Sequence, residues 1–164
     1  MNKFKWLITA FFFLCAFSLS AQTAAELDVL LETQALSLAG GARIILEAAN
    51  VLPQGLYGAG AENAAYEMAQ SRGWTKKTPD APLTLKDTAF LIMKAFDFRG
   101  GFMYSLFRNP RYAYREMVYR KVIQGRADPA MQVSGPRLLQ ITGRALSYSG
   151  EDIEYDAEVQ GGVQ

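Results

Sequence analysis

Residues 83–98 read LTLKDTAFLIMKAFDF, residues 133–148 read VSGPRLLQITGRALSY, and residues 36–51 read LSLAGGARIILEAANV. Set one above another, they place Ser37, Thr84 and Ser134 in one column and Ala42, Ala89 and Leu139 in a second. Ile45, Ile92 and Thr142 form a third column, and Ala48, Ala95 and Ala145 a fourth. The copies start at residues 36, 83 and 133, a spacing of roughly fifty residues that fits a repeated supersecondary unit. Repeats of this kind present a surface more often than they build a catalytic pocket, which moves the expectation from enzyme to binding module.

Each copy reads as a helix. Ala89, Ile92, Ala95 and Phe96 recur at helical rather than strand period. Leu138, Leu139, Ile141, Ala145 and Leu146 do the same in the third copy, and Ile44, Ile45 and Ala48 in the first. Ser37, Thr84 and Ser134 are helix caps, with Asp87 in the position of a capping box and Pro136 in a first turn, where its missing N–H does no harm. A partner helix is expected upstream of each. The first is at about Ala24 to Glu32. AENAAYEMAQSRGW stops near Gly73, and NPRYAYREMVYRKVIQG opens on the cap Asn109 with Pro110 at its first position. Gly/Pro-rich LPQGLYGAG and the pair Gly100-Gly101 separate the units. The predicted architecture is therefore all-α: three helix-loop-helix repeats at 24–52, 61–98 and 109–149. An acidic tail at 151–164 is expected to be disordered.

The chain opens with Lys3 and Lys5, an apolar run from Trp6 to Phe17, and then SLSAQ, the pattern of an export signal peptide over residues 1–20. Cleavage after Ser20 fits the small positions Ser18 and Ser20, with Ala21 the competing site. The run is short for a bilayer span, which takes about 20 apolar residues, so no stable transmembrane segment is expected after cleavage. Leu14 is larger than the small residue that normally precedes an acylated cysteine, so Cys15 reads as a hydrophobe within the signal. The mature chain then lacks cysteine and rests on packing instead of disulfides.

Charge is balanced overall but uneven along the chain. Without Lys3 and Lys5, 15 of the 17 cations remain against 16 acidic residues. A dedicated nucleic-acid binder is usually strongly basic, so nucleic acid is not an expected partner. Between Arg99 and Arg126, however, seven cations face Glu116 alone. Phe98, Phe102, Tyr104, Phe107, Tyr112, Tyr114 and Tyr119 are interleaved with them. Most of these aromatics are expected to be core. Arg108, Arg111 and Arg115, at i, i+3 and i+7, are the best candidates for an anion site, since guanidinium groups grip carboxylates and phosphates in paired hydrogen bonds.

With no histidine in the chain, triad chemistry is excluded and a zinc site is not expected. The carboxylate pairs Glu67/Asp80 and Asp87/Asp97 are the remaining formal option for glycoside hydrolysis. Helix first turns and solvent faces are the simpler explanation of these acids, so no enzyme, metal or cofactor is expected.

Residues 122–146, VIQGRADPAMQVSGPRLLQITGRAL, resemble the second half of an S-layer homology motif. Val122, Ile123, Gly125, Asp128, Ser134 and Arg144-Ala145-Leu146 match its G-x-x-D loop, capped helix and closing stripe. Gly73, Trp74, Asp80, Pro82, Leu83 and Thr84 form a looser copy, and the first unit lacks the loop. The resemblance spans Ala24 to Ser149. It implies a non-catalytic protein whose three motifs pack as a pseudo-threefold helical bundle, with grooves between motifs that bind peptidoglycan or another anionic cell-wall polymer. The family's motif arginine falls on Leu38, Leu85 and Gly135. Lys86 and Arg137, one and two positions further along, are the cations placed to reach an anion there. The expected ligand-binding set is Arg108, Arg111, Arg115, Lys86, Arg137, Trp74, Gly125 and Asp128. The expectation is an exported module of the periplasm or cell envelope. The alternative is a structural module that keeps the fold without glycan binding and partners envelope proteins.

Overall fold

The computed structural model describes residues 26–53, 55–125 and 128–161, the segment after residue 150 in backbone only. The signal peptide, its cleavage sites and Cys15 lie outside the described residues. The chain divides into two units at Thr33–Gln34. In the first, residues 26–32 are helical, and the Thr33 hydroxyl donates to the Val29 carbonyl at 2.7 Å.

Among the described residues of the second unit, the regular elements are helices: α1 (Leu38–Ala48), α2 (Gly58–Ser71), α3 (Leu85–Ala95), α4 (Phe102–Phe107), α5 (Pro110–Tyr119) and α6 (Gly135–Gly161). The all-helical class read from the periodicity is the class observed.

α1, α3 and α6 are the three aligned segments, and their starts are tied together. The Leu36 N–H donates to the Val133 carbonyl at 2.9 Å, that of Leu83 to Leu36 at 2.9 Å, and that of Val133 to Leu83 at 3.0 Å. Three segments distant in sequence thus close a ring of backbone hydrogen bonds, one residue ahead of each cap. All three side chains are buried. From this ring α1, α3 and α6 depart, each touching the other two.

The next residues along repeat the same logic. A helix leaves its first N–H groups without internal partners. In α1 the N–H groups of Leu38 and Ala39 donate to the Ala81 and Pro79 carbonyls at 2.8 and 3.1 Å. In α3 those of Leu85 and Lys86 donate to Met131 and Pro129 at 3.0 and 3.1 Å. Each helix start is therefore satisfied by the loop that leads into the next aligned helix. In α6 the second residue is Pro136, which has no N–H to satisfy.

Caps follow residue type. The Ser37 hydroxyl accepts from the Gly40 N–H at 3.1 Å. The Asp87 carboxylate accepts from the Thr84 N–H at 3.2 Å and pairs with Lys77 at 2.5 Å. Asn109 accepts from the N–H groups of Arg111 and Tyr112 at 3.0 and 3.1 Å. At its C-terminus α2 closes through Gly73 at φ +69°, with the Trp74 N–H on the Ala69 carbonyl at 2.8 Å, a left-handed cap that suits glycine. Asn50, Asp97 and Lys121 hold the corresponding positive φ after α1, α3 and α5.

The helix pairing differs from a self-contained helix-loop-helix unit. α1 packs most extensively on α2, and α3 on α5, so an aligned helix joins the first helix of the following unit. The loop bonds described above impose this, because they seat each loop on the preceding helix. Two further differences concern α6. Residues 151–161, expected to belong to a disordered tail, continue the helix, since propagation from a formed helix needs no new nucleus. Leu146, expected in the buried stripe, is 45% exposed.

Ile45, Ile92 and Thr142 share a column and are all buried, yet the Thr142 hydroxyl has no hydrogen-bond partner among the described residues. Thr142→Val should therefore raise unfolding stability by about 1 kcal/mol, read by thermal or urea unfolding. Gly41 faces the opposite constraint, because a Cβ there would stand 2.3 Å from Leu83 Cδ2. Gly41→Ala should cost about 1–3 kcal/mol in the same assay.

Candidate functional site

The basic stretch of the sequence does not form one helix face. Arg108 ends α4 in a left-handed conformation (φ +40°, ψ +46°), and Asn109-Pro110 then starts α5. The predicted i, i+3, i+7 face of Arg108, Arg111 and Arg115 is thus broken by the cap between the first two. Arg111 and Arg115 stay one turn apart on the exposed side of α5.

Arg108 instead faces the end of α3. A cleft of about 400 Å3 opens between that end and α4, and its rim carries Lys94, Arg99 and Arg108 against the single carboxylate of Asp97. Phe98 and Tyr104 are buried side chains in its wall. The cleft exists because the chain turns sharply after α3. Asp97 takes the left-handed position (φ +50°) and the Phe98 N–H returns to the Met93 carbonyl at 3.1 Å. Tyr104 then lies so close to Gly100 that a Cβ on the glycine would stand 2.2 Å from the ring. Only a residue without a side chain fits there.

The back of this turn is braced by Arg120. Its Nε donates to Glu116 Oε1 at 2.7 Å, and its terminal nitrogens donate to the Arg99 carbonyl and the Tyr148 hydroxyl. The guanidinium also lies 4.8 Å from the Tyr148 ring centre, while Phe98 meets that ring edge-on at 5.2 Å. Arg120 therefore holds the loop in place, and Lys94, Arg99 and Arg108 are the cations lining the cleft. A second, shallower cleft of about 250 Å3 carries Lys121 and Arg144 beside Arg120.

A separate group of expected residues gathers at the third loop. Asp128 uses its carboxylate on the Ala130 N–H at 2.8 Å, shaping a turn. Arg137 is half-buried and donates to the Met131 sulfur. Lys86 bonds the same loop through its backbone, and Tyr114 of α5 feels both Asp128 and Arg137. Gly125 supplies a positive φ of +78° on the exposed side of this loop. Trp74 is half-buried, with the Arg72 guanidinium 5.0 Å from its ring centre.

The structure adds Lys94, Asp97, Arg99 and Tyr104 to the residues of interest. Arg99 and Tyr104 lie within the basic-aromatic stretch, but nothing in the spacing joined Lys94 and Asp97 to Tyr104 and Arg108 across the Gly100-Gly101 break. Asp87 and Asp97 flank opposite ends of α3, about 15 Å apart along its axis, too far to act as a glycosidase pair. Among the described residues, no three Cys, Asp or Glu side chains gather at metal-binding distance, and no helix is long and apolar enough to cross a membrane. Compared with protein-family models, curated proteins and solved structures, the chain matches none.

Burial pushes the Tyr104 phenol above its ordinary value of 10.0; Arg108 opposes this and Asp97 adds to it. The folded chain thus holds the phenolic proton more tightly than the unfolded chain does, so this contribution to stability is intact below pH 10 and is lost as pH rises beyond it. Tyr104→Phe should flatten the alkaline fall in melting temperature. Thermal unfolding of both proteins at pH 8 and pH 11 checks this.

Proposed function

We propose that this is an exported, non-catalytic module of the cell envelope that associates with peptidoglycan or another anionic cell-wall polymer. In this reading three copies of one helix-loop-helix element surround a pseudo-threefold axis that runs through the ring of Leu36, Leu83 and Val133. The matched loop bonds at Leu38/Ala39 and Leu85/Lys86 support that arrangement. Export is supported by the charged-apolar-small pattern of residues 1–20.

The observation that carries the binding role is the cleft beside α4, with three cations on its rim against one carboxylate and two aromatic side chains in its wall. Its volume of about 400 Å3 lies in the range of small-molecule sites. Guanidinium groups bond the carboxylates or bridging phosphates of such polymers. Arg99 and Arg108 are exposed and Lys94 is half-buried, so attraction to a polymer through the two arginines would be screened as salt is added.

Co-sedimentation with purified peptidoglycan sacculi tests this. The protein should pellet at low ionic strength and be released near 1 M salt, where the screening length falls to about 3 Å. Combined Arg99→Ala and Arg108→Ala should weaken pelleting about tenfold or more. Protein left in the supernatant at low salt, or pelleting indifferent to salt, would reject polymer binding and favour the competing role as a module for envelope proteins.

A further inference from the structure

The short helix α4 turns a strongly apolar face outward. Phe102 is 78% exposed, Met103 53%, Leu106 62% and Phe107 53%. At 100° per residue these four fall within an arc of about 140° on one side of the helix. Tyr104, on the other side, is buried against Gly100 and anchors the helix to the body. Phe107 stacks on Tyr112 of α5 with ring centres 5.1 Å apart and planes 18° from parallel. The face is thus held firmly at both ends rather than carried on a loose loop.

We propose that this face docks α4 onto the surface of an anionic phospholipid bilayer. Its surroundings match that partner. Arg99 precedes the helix, Arg108 ends it and Arg111 opens the next, all three exposed. Asp97 is the acidic neighbour in the adjoining cleft. Cations around an apolar tip are the arrangement that seats aromatic and aliphatic side chains at the acyl boundary while the guanidinium groups meet lipid phosphates. A protein partner fits less well. Four side chains of this size at these exposures amount to about 450 Å2, short of the roughly 800 Å2 that each side of a stable protein interface contributes. The face also offers no hydrogen-bonding side chain among its four members. Phe102, Met103, Leu106 and Phe107 do not line the basic cleft, while Arg99 and Arg108 border both surfaces, so the apolar reporter positions separate bilayer docking from polymer binding.

The test places a reporter on the face of the full-length chain. Phe102→Trp, with Leu106→Trp as a second reporter, is mixed with vesicles of equal parts phosphatidylglycerol and phosphatidylcholine, with and without brominated acyl chains. The signal of the parent's Trp6 and Trp74 is subtracted. The new tryptophan should shift to shorter wavelength and be quenched by the brominated lipid. Binding read this way should fall about tenfold or more on phosphatidylcholine alone. It should fall as well when Met103→Ser and Phe107→Ser are added. Vesicle attachment without quenching of the new tryptophan would overturn the proposal, because the chain would then be held elsewhere. So would a blue shift that grows with protein concentration in the absence of lipid, which would assign the face to a second copy.

Discussion

Three backbone hydrogen bonds among Leu36, Leu83 and Val133 set the plan of this protein. Each residue donates to one neighbour and accepts from the other, so no segment can leave without stranding a buried donor and a buried acceptor. Such groups cost about 1–3 kcal/mol each when unpaired, more than a formed bond contributes on balance. The ring therefore acts chiefly as a constraint on arrangement. It brings three helix starts to one point and lets α1, α3 and α6 pack on one another at matched levels. Side-chain choice follows. Leu83 of the ring occupies the space that a Cβ on Gly41 would need, so glycine sits in α1 at that height. Thr142 occupies a level held by isoleucine in the other two helices, and carries an orphan hydroxyl as a result.

The cleft depends on this plan at one remove. Because α3 leaves from the ring in register with α6, its far end comes beside Tyr148, and the chain must reverse there. Asp97 and Gly100 make the reversal, and Arg120 fixes it through Glu116, Tyr148 and the Arg99 carbonyl. Three groups converge on one guanidinium whose side chain is largely withdrawn from water. Such a brace suits arginine, whose planar fork offers several donors at fixed angles. α4 then projects from the braced turn, flanked by Arg99 and Arg108, with Phe102, Met103, Leu106 and Phe107 exposed.

Much of the scaffold was legible in the sequence because helix periodicity, caps and breakers are local signals. Ser37, Asn109-Pro110 and Gly73 act where their residue types indicate, and the columns of small and branched residues trace the buried faces of α1 and α3. The site was less legible because it depends on chain reversal. The six residues between Gly101 and Arg108 are too few to show a helical period, so α4 was hidden in the basic-aromatic stretch. Arg108 has the spacing of a face shared with Arg111 and Arg115, but the cap at Asn109 divides them. The aromatics separated likewise: Phe98 and Tyr104 are buried, whereas Phe102, Phe107 and Tyr119 are exposed. Helix pairing across units was not readable at all, since it is imposed by main-chain carbonyls of Pro79, Ala81, Pro129 and Met131, which no side-chain pattern encodes.

Amide hydrogen exchange followed residue by residue tests the ring most directly. The account predicts that the N–H groups of Leu36, Leu83 and Val133 exchange together, at the slow rate of core amides in α3, because opening any one requires the three segments to part. Fast exchange of one of the three under conditions where the α3 core stays protected would contradict it.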